Sequence, residues 1–245
     1  MSSRASDPPF NHSLLAATQV RPVNADSFEP LGFSRSHWID RLEKVGDVVQ
    51  IDEARPELGK LSDVLEKRNS IIEGGPIDRD SVVALLDLLA RTRSQQQDAA
   101  GRWWRSRLFP SAGGVHSIEP LIFVNSCDAM HSGWYRRGTG GVDEVQVPDG
   151  TRFMSDALDA LGNGWQPAAV LFAASEPRLT SDRYPGGESL LWRDAGVFLG
   201  LAHLLATALG HSSTILGSVS ITQEPSESWP SAILGALALG GRIPA

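Results

Sequence analysis

The sequence predicts an α+β fold with a central, mostly antiparallel sheet flanked by helices, and three observations carry that expectation. Strand-like and helix-like runs mix in the second half without the regular βαβ beat of a parallel sheet. Two short β-prone runs, Gly133–Arg136 and Val142–Val145, flank the glycine-rich Gly138–Gly141 and read as a hairpin. A long apolar stretch from Leu190 to Gly210 reads as one buried helix.

The elements follow in order. Residues 1–10 are short of apolar groups, end near Pro8-Pro9, and read as disordered. A helix is expected near His12. Another is expected from Ser36 to Val45, with Trp38, Ile39, Leu42 and Val45 on one face. Glu53 to Gly59 reads as a loop. Lys60 to Arg68 predicts a short helix with Leu61, Val64 and Leu65 inward. Gly74-Gly75-Pro76 then breaks the chain. Asp78 suits an N-cap, because its carboxylate can accept from the free amides of a first turn. The helix it starts carries Val82, Leu85, Leu86 and Leu89 and is expected to reach about Gln97. Strands are expected at Leu121–Cys127, Ala168–Ala174, Thr214–Val219 and Ala236–Gly240, and a helix at Phe153–Leu161.

Composition narrows the function classes. The chain has 245 residues, 41% hydrophobic and 21% charged, which suits a packed core. Its formal charge of −7 disfavours nucleic-acid binding, where phosphate neutralisation supplies most of the affinity. The single cysteine, Cys127, cannot form an intrachain disulfide, which fits a reducing compartment such as the cytoplasm. The first residues lack the apolar core of a secretory signal. The longest apolar run, Ala195–Gly210, is shorter than the roughly 20 residues a bilayer needs, so no membrane span is expected.

The segment Pro110-Ser-Ala-Gly-Gly-Val-His-Ser-Ile-Glu119 is the first that could carry chemistry. Ser111 offers a hydroxyl, and Ala112, Gly113 and Gly114 offer backbone amides almost free of side chains. With a helix expected just afterwards, those amides suit an anion or the electron-rich edge of a ring. A plain glycine-rich turn fits the same residues. Arg102, Arg105 and Arg107 around Trp103 and Trp104 could anchor a phosphate or carboxylate, or could flank two core tryptophans. His116 and Glu119, three apart, would share a helical face. The six histidines show no metal-binding spacing, and Cys127 reads as a packed thiol.

Taken together the segments resemble the FMN-dependent nitroreductase-like proteins, and within them the SagB-type dehydrogenases, the azoline oxidases of thiazole- and oxazole-modified peptide pathways. Lys67-Arg68-Asn69-Ser70 with Pro76-Ile77 is similar to that family's Arg-Arg-Ser opening. Arg107-x-x-Pro110-Ser-Ala-Gly-Gly-x-His-x-x-Glu119 is similar to its most distinctive loop. Gly133-Trp-Tyr-Arg136 resembles a Gly-Leu-Tyr-x-Tyr strand, Arg183-Tyr184 a Lys-Tyr pair, and Asp194-Ala-Gly196 a Glu-Ala-Gly element. Leu237–Gly240 and Gly241-Arg242 resemble the closing strand. The match spans about residues 60 to 245 and leaves residues 1–59 as a variable N-terminal extension. Arg183, Ile72 and Arg137 depart from it, standing where a lysine, a basic residue and a tyrosine are usual.

The resemblance implies a nitroreductase-like FMN domain and a cytoplasmic homodimer with the cofactor at an interface formed by the long helix. It implies that Arg68 and Ser70 contact the phosphate or ribityl chain, that Arg242 reaches the phosphate, and that Arg107 belongs to the cofactor site. Pro110, Ser111, Ala112, Gly113, Gly114 and Gly217 would line the ring. Tyr184 is the implied base, with Arg183 beside it. The implied activity is oxidation of a peptide-derived azoline or similar intermediate, and the implied partners are a peptide or peptide-like substrate and a cyclodehydratase complex. Two alternatives fit the same residues: an NAD(P)H-dependent reductase of small electrophiles, and a catalytically degenerate binding partner.

Overall fold

The computed structural model describes residues 42–51, 56–71, 73–97, 103–162, 164–216 and 232–243. Within them the chain runs α1 (Leu61–Lys67), α2 (Arg79–Ala90), β1 (Ser94–Gln97), β2 (Trp103–Ser106) and a single 3-10 turn at Ala112–Gly114. It continues through β3 (Ile118–Val124), β4 (Gly133–Arg137), β5 (Val142–Val145), α3 (Gly150–Leu161) and β6 (Ala169–Ser175). It ends with α4 (Pro177–Ser181), α5 (Glu188–Ala208), β7 (His211–Ile215) and β8 (Ala232–Arg242). Strands β3 to β8 form one sheet in the order β5-β4-β3-β6-β8-β7, and every neighbouring pair is antiparallel. The expected α+β architecture is therefore present.

Alternation along the central strands builds two cores. On β6, Ala169, Leu171 and Ala173 join a cluster with α2 and α5, which supply Val82, Leu85, Leu86, Leu89, Phe198 and Ala202. Val170, Phe172 and Ala174 face the other way and pack with Phe153 and Ala157 of α3 and with Trp134. All seven β6 residues are buried. Such a strand reads as a continuous apolar run because both of its faces are covered. The β4–β5 hairpin closes as expected, with Gly138 N–H donating to Gly141 O at 2.8 Å.

Asp78 caps α2 by accepting from Ser81 N–H at 2.8 Å. The helix stops at Ala90, short of the expected Gln97. After Leu89 the sequence offers no further apolar residues at helical spacing, and Ser94–Gln97 instead pairs with Trp103–Ser106 as a separate two-stranded ribbon. On α1, Val64 alone turns inward, while Leu61 and Leu65 are exposed. Leu42–Val45, expected as a helix end, are not helical: Lys44 and Val49 bridge to Val145 and Val142 on the outer edge of β5. The other expectations within residues 1–41, and the end of the Thr214–Val219 strand, lie outside the described residues.

The long helix α5 is not surrounded on every side, as its apolarity suggested. Ala195, Phe198, Ala202 and Ala206 are buried, but Trp192 and Val197 on the outer side are 46% and 42% exposed. At 21 residues it does meet the length and apolarity of a membrane span, which the sequence reading denied. Its buried apolar residues belong to the core shared with β6 and β8.

Candidate active site

The Pro110–Glu119 segment leads into a strand, not a helix. Gly113 and Gly114 adopt φ of +55° and +62°, which a helix cannot continue through. From Ile118 the chain pairs with β6, and from Leu121 with β4 on its other side as well, which satisfies its backbone groups. The short 3-10 turn is fastened from α5. Ser111 Oγ donates to Asp194 Oδ2 at 2.6 Å, and the Ala112 amide donates to the same carboxylate at 3.1 Å. His116 N–H donates in turn to Ser111 Oγ at 2.9 Å. Two of the three amides of the expected anion cradle are thus already used, Ala112 by the Asp194 carboxylate and Gly114 by Ser111 O at 3.1 Å.

Arg183 and Tyr184 reach the same turn from the far side. They follow α4, where the Tyr184 amide donates to Thr180 O at 2.8 Å. Arg183 Nη1 donates to Gly113 O at 3.1 Å, and its guanidinium lies 5.1 Å from the centre of the Trp104 ring. The Tyr184 hydroxyl sits against Gly113, where a side chain would strike it. Arginine stays protonated and can only donate. Arg183 therefore shapes the turn, and Tyr184 is the member of the pair that can exchange a proton.

Beneath the turn lies a buried polar layer. Arg107 donates to Glu119 through two nitrogens, at 2.5 and 3.0 Å, and to Ile118 O at 3.2 Å. Arg107 is buried, so it supports the turn from below. His116 is not on a helical face with Glu119; it sits at φ +49°, packed edge-on against Phe109. Its Nε2 lies 3.0 Å from Arg105 O, so that nitrogen carries the proton. Burial and the Arg107 charge lower the His116 pKa to about 4. Pro110 is exposed at the head of the turn.

A second group forms around strand β7. Arg68 Nη1 lies 3.2 Å from His203 Nε2 and 3.5 Å from Ser70 Oγ. His203 Nδ1 lies 2.6 Å from Ser213 Oγ. Ser70 forms a parallel bridge to Ser213, and Ser212 Oγ accepts from the Glu73 amide at 2.8 Å. Arg242 Nη2 donates to Asp78 Oδ2 at 2.8 Å, and His211 Nε2 meets the same oxygen at 2.8 Å. Burial works to raise the Asp78 pKa, but the Ser81 amide and His211 outweigh it and hold the carboxyl below its usual value. Arg242 and Asp78 line an open cleft of about 370 Å³ with Gly74–Ile77, Asp128 and Gly241. Gly217 lies outside the described residues.

The two groups are tied to one helix at Asp194 and His203. At about 100° per residue, nine residues place these positions on opposite flanks, about 13 Å apart along the axis.

Comparison with known proteins supports the same architecture. No protein-family model matches the chain, and no curated protein matches it. Solved structures do. One described as a nitroreductase from Ralstonia eutropha JMP134 has a TM-score of 0.61 and 17% identity, over 82% of this chain and 94% of that one. The chain has a nitroreductase fold. A second structure described as a nitroreductase, from Anabaena variabilis ATCC 29413, has a TM-score of 0.59 and 21% identity over 89% of this chain. This nitroreductase-fold chain spans 45% of that longer protein. A third, in the E. coli microcin synthetase McbBCD complex with truncated pro-MccB17 bound, has a TM-score of 0.52 and 16% identity over 99% of this chain and 85% of that one.

Several residues of this nitroreductase-fold site carry roles the sequence reading did not assign. Asp194 fastens the turn, His203 and Ser213 back Arg68, and His211 backs Asp78. The available signal was polarity out of place. Asp194 and His203 sit in an apolar helix, and His211-Ser212-Ser213 open a buried strand. Buried polar groups of this kind need partners.

Proposed function

We propose that this chain is an FMN-dependent oxidoreductase that oxidises a peptide-derived azoline or a similar intermediate. The observation that carries the reading is the convergence of Tyr184 and Arg183 on the Gly113 turn, within a nitroreductase fold. The residues fit the cofactor. Gly113 leaves room for the Tyr184 hydroxyl to reach the turn, and Arg68, Ser70 and Arg242 suit a phosphate. FMN, when bound, would accept the hydride that leaves the substrate. The protein's part would be to hold the flavin beside the Ser111–Gly114 turn with Arg68 and Arg242 toward its phosphate, and to take the substrate proton at the Tyr184 oxygen in its phenolate form. Loss of that proton and of the hydride converts the azoline ring to an aromatic azole.

The opposite-flank placement supports a homodimer whose sites draw the turn from one copy and the arginines from the other. The exposed outer side of α5, with Trp192 and Val197, is a suitable contact surface. Because a structural neighbour belongs to a synthetase complex with a peptide bound, a peptide substrate and a complex with a cyclodehydratase are the partners we propose, in the cytoplasm.

The purified protein is expected to be yellow and to release FMN on denaturation. A colourless protein that cannot be reconstituted with FMN refutes the reading. Tyr184→Phe is expected to keep its flavin and lose about 100-fold or more in turnover of an azoline peptide, the usual scale of a positioned acid or base. Mixing inactive Arg68→Ala with inactive Gly113→Asp chains is expected to restore turnover if the site is shared between copies.

A further inference from the structure

We propose that His203 is the positioning residue for Arg68, held neutral so that its Nε2 accepts from the guanidinium and aims the remaining donors at an anionic ligand. This deepens the cofactor reading above and rests on it for the identity of the anion.

The tautomer follows from the neighbours. Arginine has five N–H donors and no acceptor, so at 3.2 Å from Arg68 Nη1 the His203 Nε2 must present a lone pair. The ring proton then sits on Nδ1 and donates to Ser213 Oγ at 2.6 Å. An imidazolium has no lone pair and cannot take this place. The ring is fixed from both ends. On the α5 side His203 is 4% exposed, and its carbonyl accepts from Thr207 Oγ1 at 3.0 Å. On the β7 side Ser213 is pinned in the ladder opposite Leu239. The same serine bridges the backbone of Ser70, so one strand position sets both members of Arg68-x-Ser70.

Burial and the facing Arg68 charge both push the His203 pKa below the ordinary histidine value, which agrees with a neutral ring. The groups that meet the ring nitrogens are Arg68 after α1 and Ser213 on β7, and Arg68 is the charged one. Acidification that protonates His203 removes the acceptor and sets two cations against each other. The positioning of Arg68 therefore holds at neutral pH and is lost as pH falls through the His203 transition.

The test compares FMN with riboflavin, which lacks the phosphate, by flavin fluorescence quenching on the full chain. His203→Leu is expected to weaken FMN about 10-fold, the scale of one hydrogen bond to a charged group, and to leave riboflavin unchanged. His203→Gln, with an amide oxygen to accept from Arg68, is expected to recover most of the loss. His203→Leu in an Arg68→Ala background is expected to cost nothing further. Equal weakening of FMN and riboflavin, or no weakening of FMN, overturns the proposal. Imidazole ¹⁵N NMR of the full chain without flavin reads the tautomer independently. A neutral, Nδ1-protonated ring is expected at pH 7, and an Nε2-protonated ring or an imidazolium overturns the proposal. If no flavin binds, the cofactor reading fails by itself. The same variants are then titrated with inorganic phosphate, and wild type and His203→Leu of equal affinity overturn the role of His203.

Discussion

The hydroxyl of Tyr184 rests on the α-carbon of Gly113, 71 residues earlier in the chain, leaving no room there for a β-carbon. Gly113 also sits at φ +55°, where an L side chain carries a backbone penalty of roughly 1–2 kcal/mol. Gly113→Ala therefore faces two costs, one steric and one conformational. Tyr184→Phe removes the hydroxyl and with it part of the steric cost. In a double-mutant cycle, Gly113→Ala is expected to destabilise wild type more than it destabilises Tyr184→Phe. Urea unfolding of the four proteins measures the difference. Strictly additive effects would show that the two residues do not touch.

Asp194 holds the turn by two separate donors, the Ser111 hydroxyl and the Ala112 amide. Its removal leaves the amide of a partly buried turn without its partner. Asp194→Ala is expected to cost about 2 kcal/mol, within the range for hydrogen bonds to a charged group. The turn should also loosen, so limited proteolysis is expected to cut near Ser111–Gly114 faster than in wild type. Asp194→Glu keeps the charge but moves it by a methylene, and should retain part of the effect. An Asp194→Ala protein with wild-type stability and protection would remove Asp194 from this role.

What the sequence revealed, and what it hid, divides along a physical line. The β6 strand and helices α2 and α5 were legible because burial imposes a hydrophobic pattern that any reader can count. The antiparallel order was legible from the hairpin and from the absent βαβ beat. The start of β3, before the expected Leu121, was not, because His116-Ser117-Ile118-Glu119 has helical spacing, and only pairing with β6 decides against it. The Arg107–Glu119 pair was equally hidden. Twelve residues apart, its members meet only once the turn has folded back. Tyr184, Arg183, Arg68 and Arg242 were visible through the resemblance, yet the partners that hold them are set by tertiary contact. Asp194, His203 and Asp78 show no such pairing in one dimension.

The Arg107–Glu119 pair lies in the buried layer under the turn, with side chains 4% and 7% exposed. Two charges removed from water depend on each other for compensation. Glu119→Ala leaves Arg107 buried without its carboxylate, and the expected cost is about 3–5 kcal/mol. Replacing both with apolar residues of similar size, Arg107→Met with Glu119→Leu, should cost much less than the single change. Urea unfolding midpoints test this. A single variant no less stable than the double would mean that the pair contributes nothing specific.

The pH dependence of stability is expected to carry a signature of His116. Its folded-state pKa is lowered to about 4, first by burial and then by Arg107, against an ordinary value of 6.5. Both states are neutral above pH 6.5, so the full stability is present there. As pH falls below 6.5 the unfolded chain takes up a proton that the folded chain refuses, and stability declines until about pH 4. Over that window the loss approaches about 3 kcal/mol, from roughly 1.4 kcal/mol for each pKa unit. His116→Asn is the informative variant. Asparagine tolerates the positive φ of this position but does not titrate. It is expected to flatten the stability curve between pH 6.5 and 4, measured by urea unfolding at stepped pH. A wild-type curve already flat across that range would mean that His116 does not resist protonation in the folded protein.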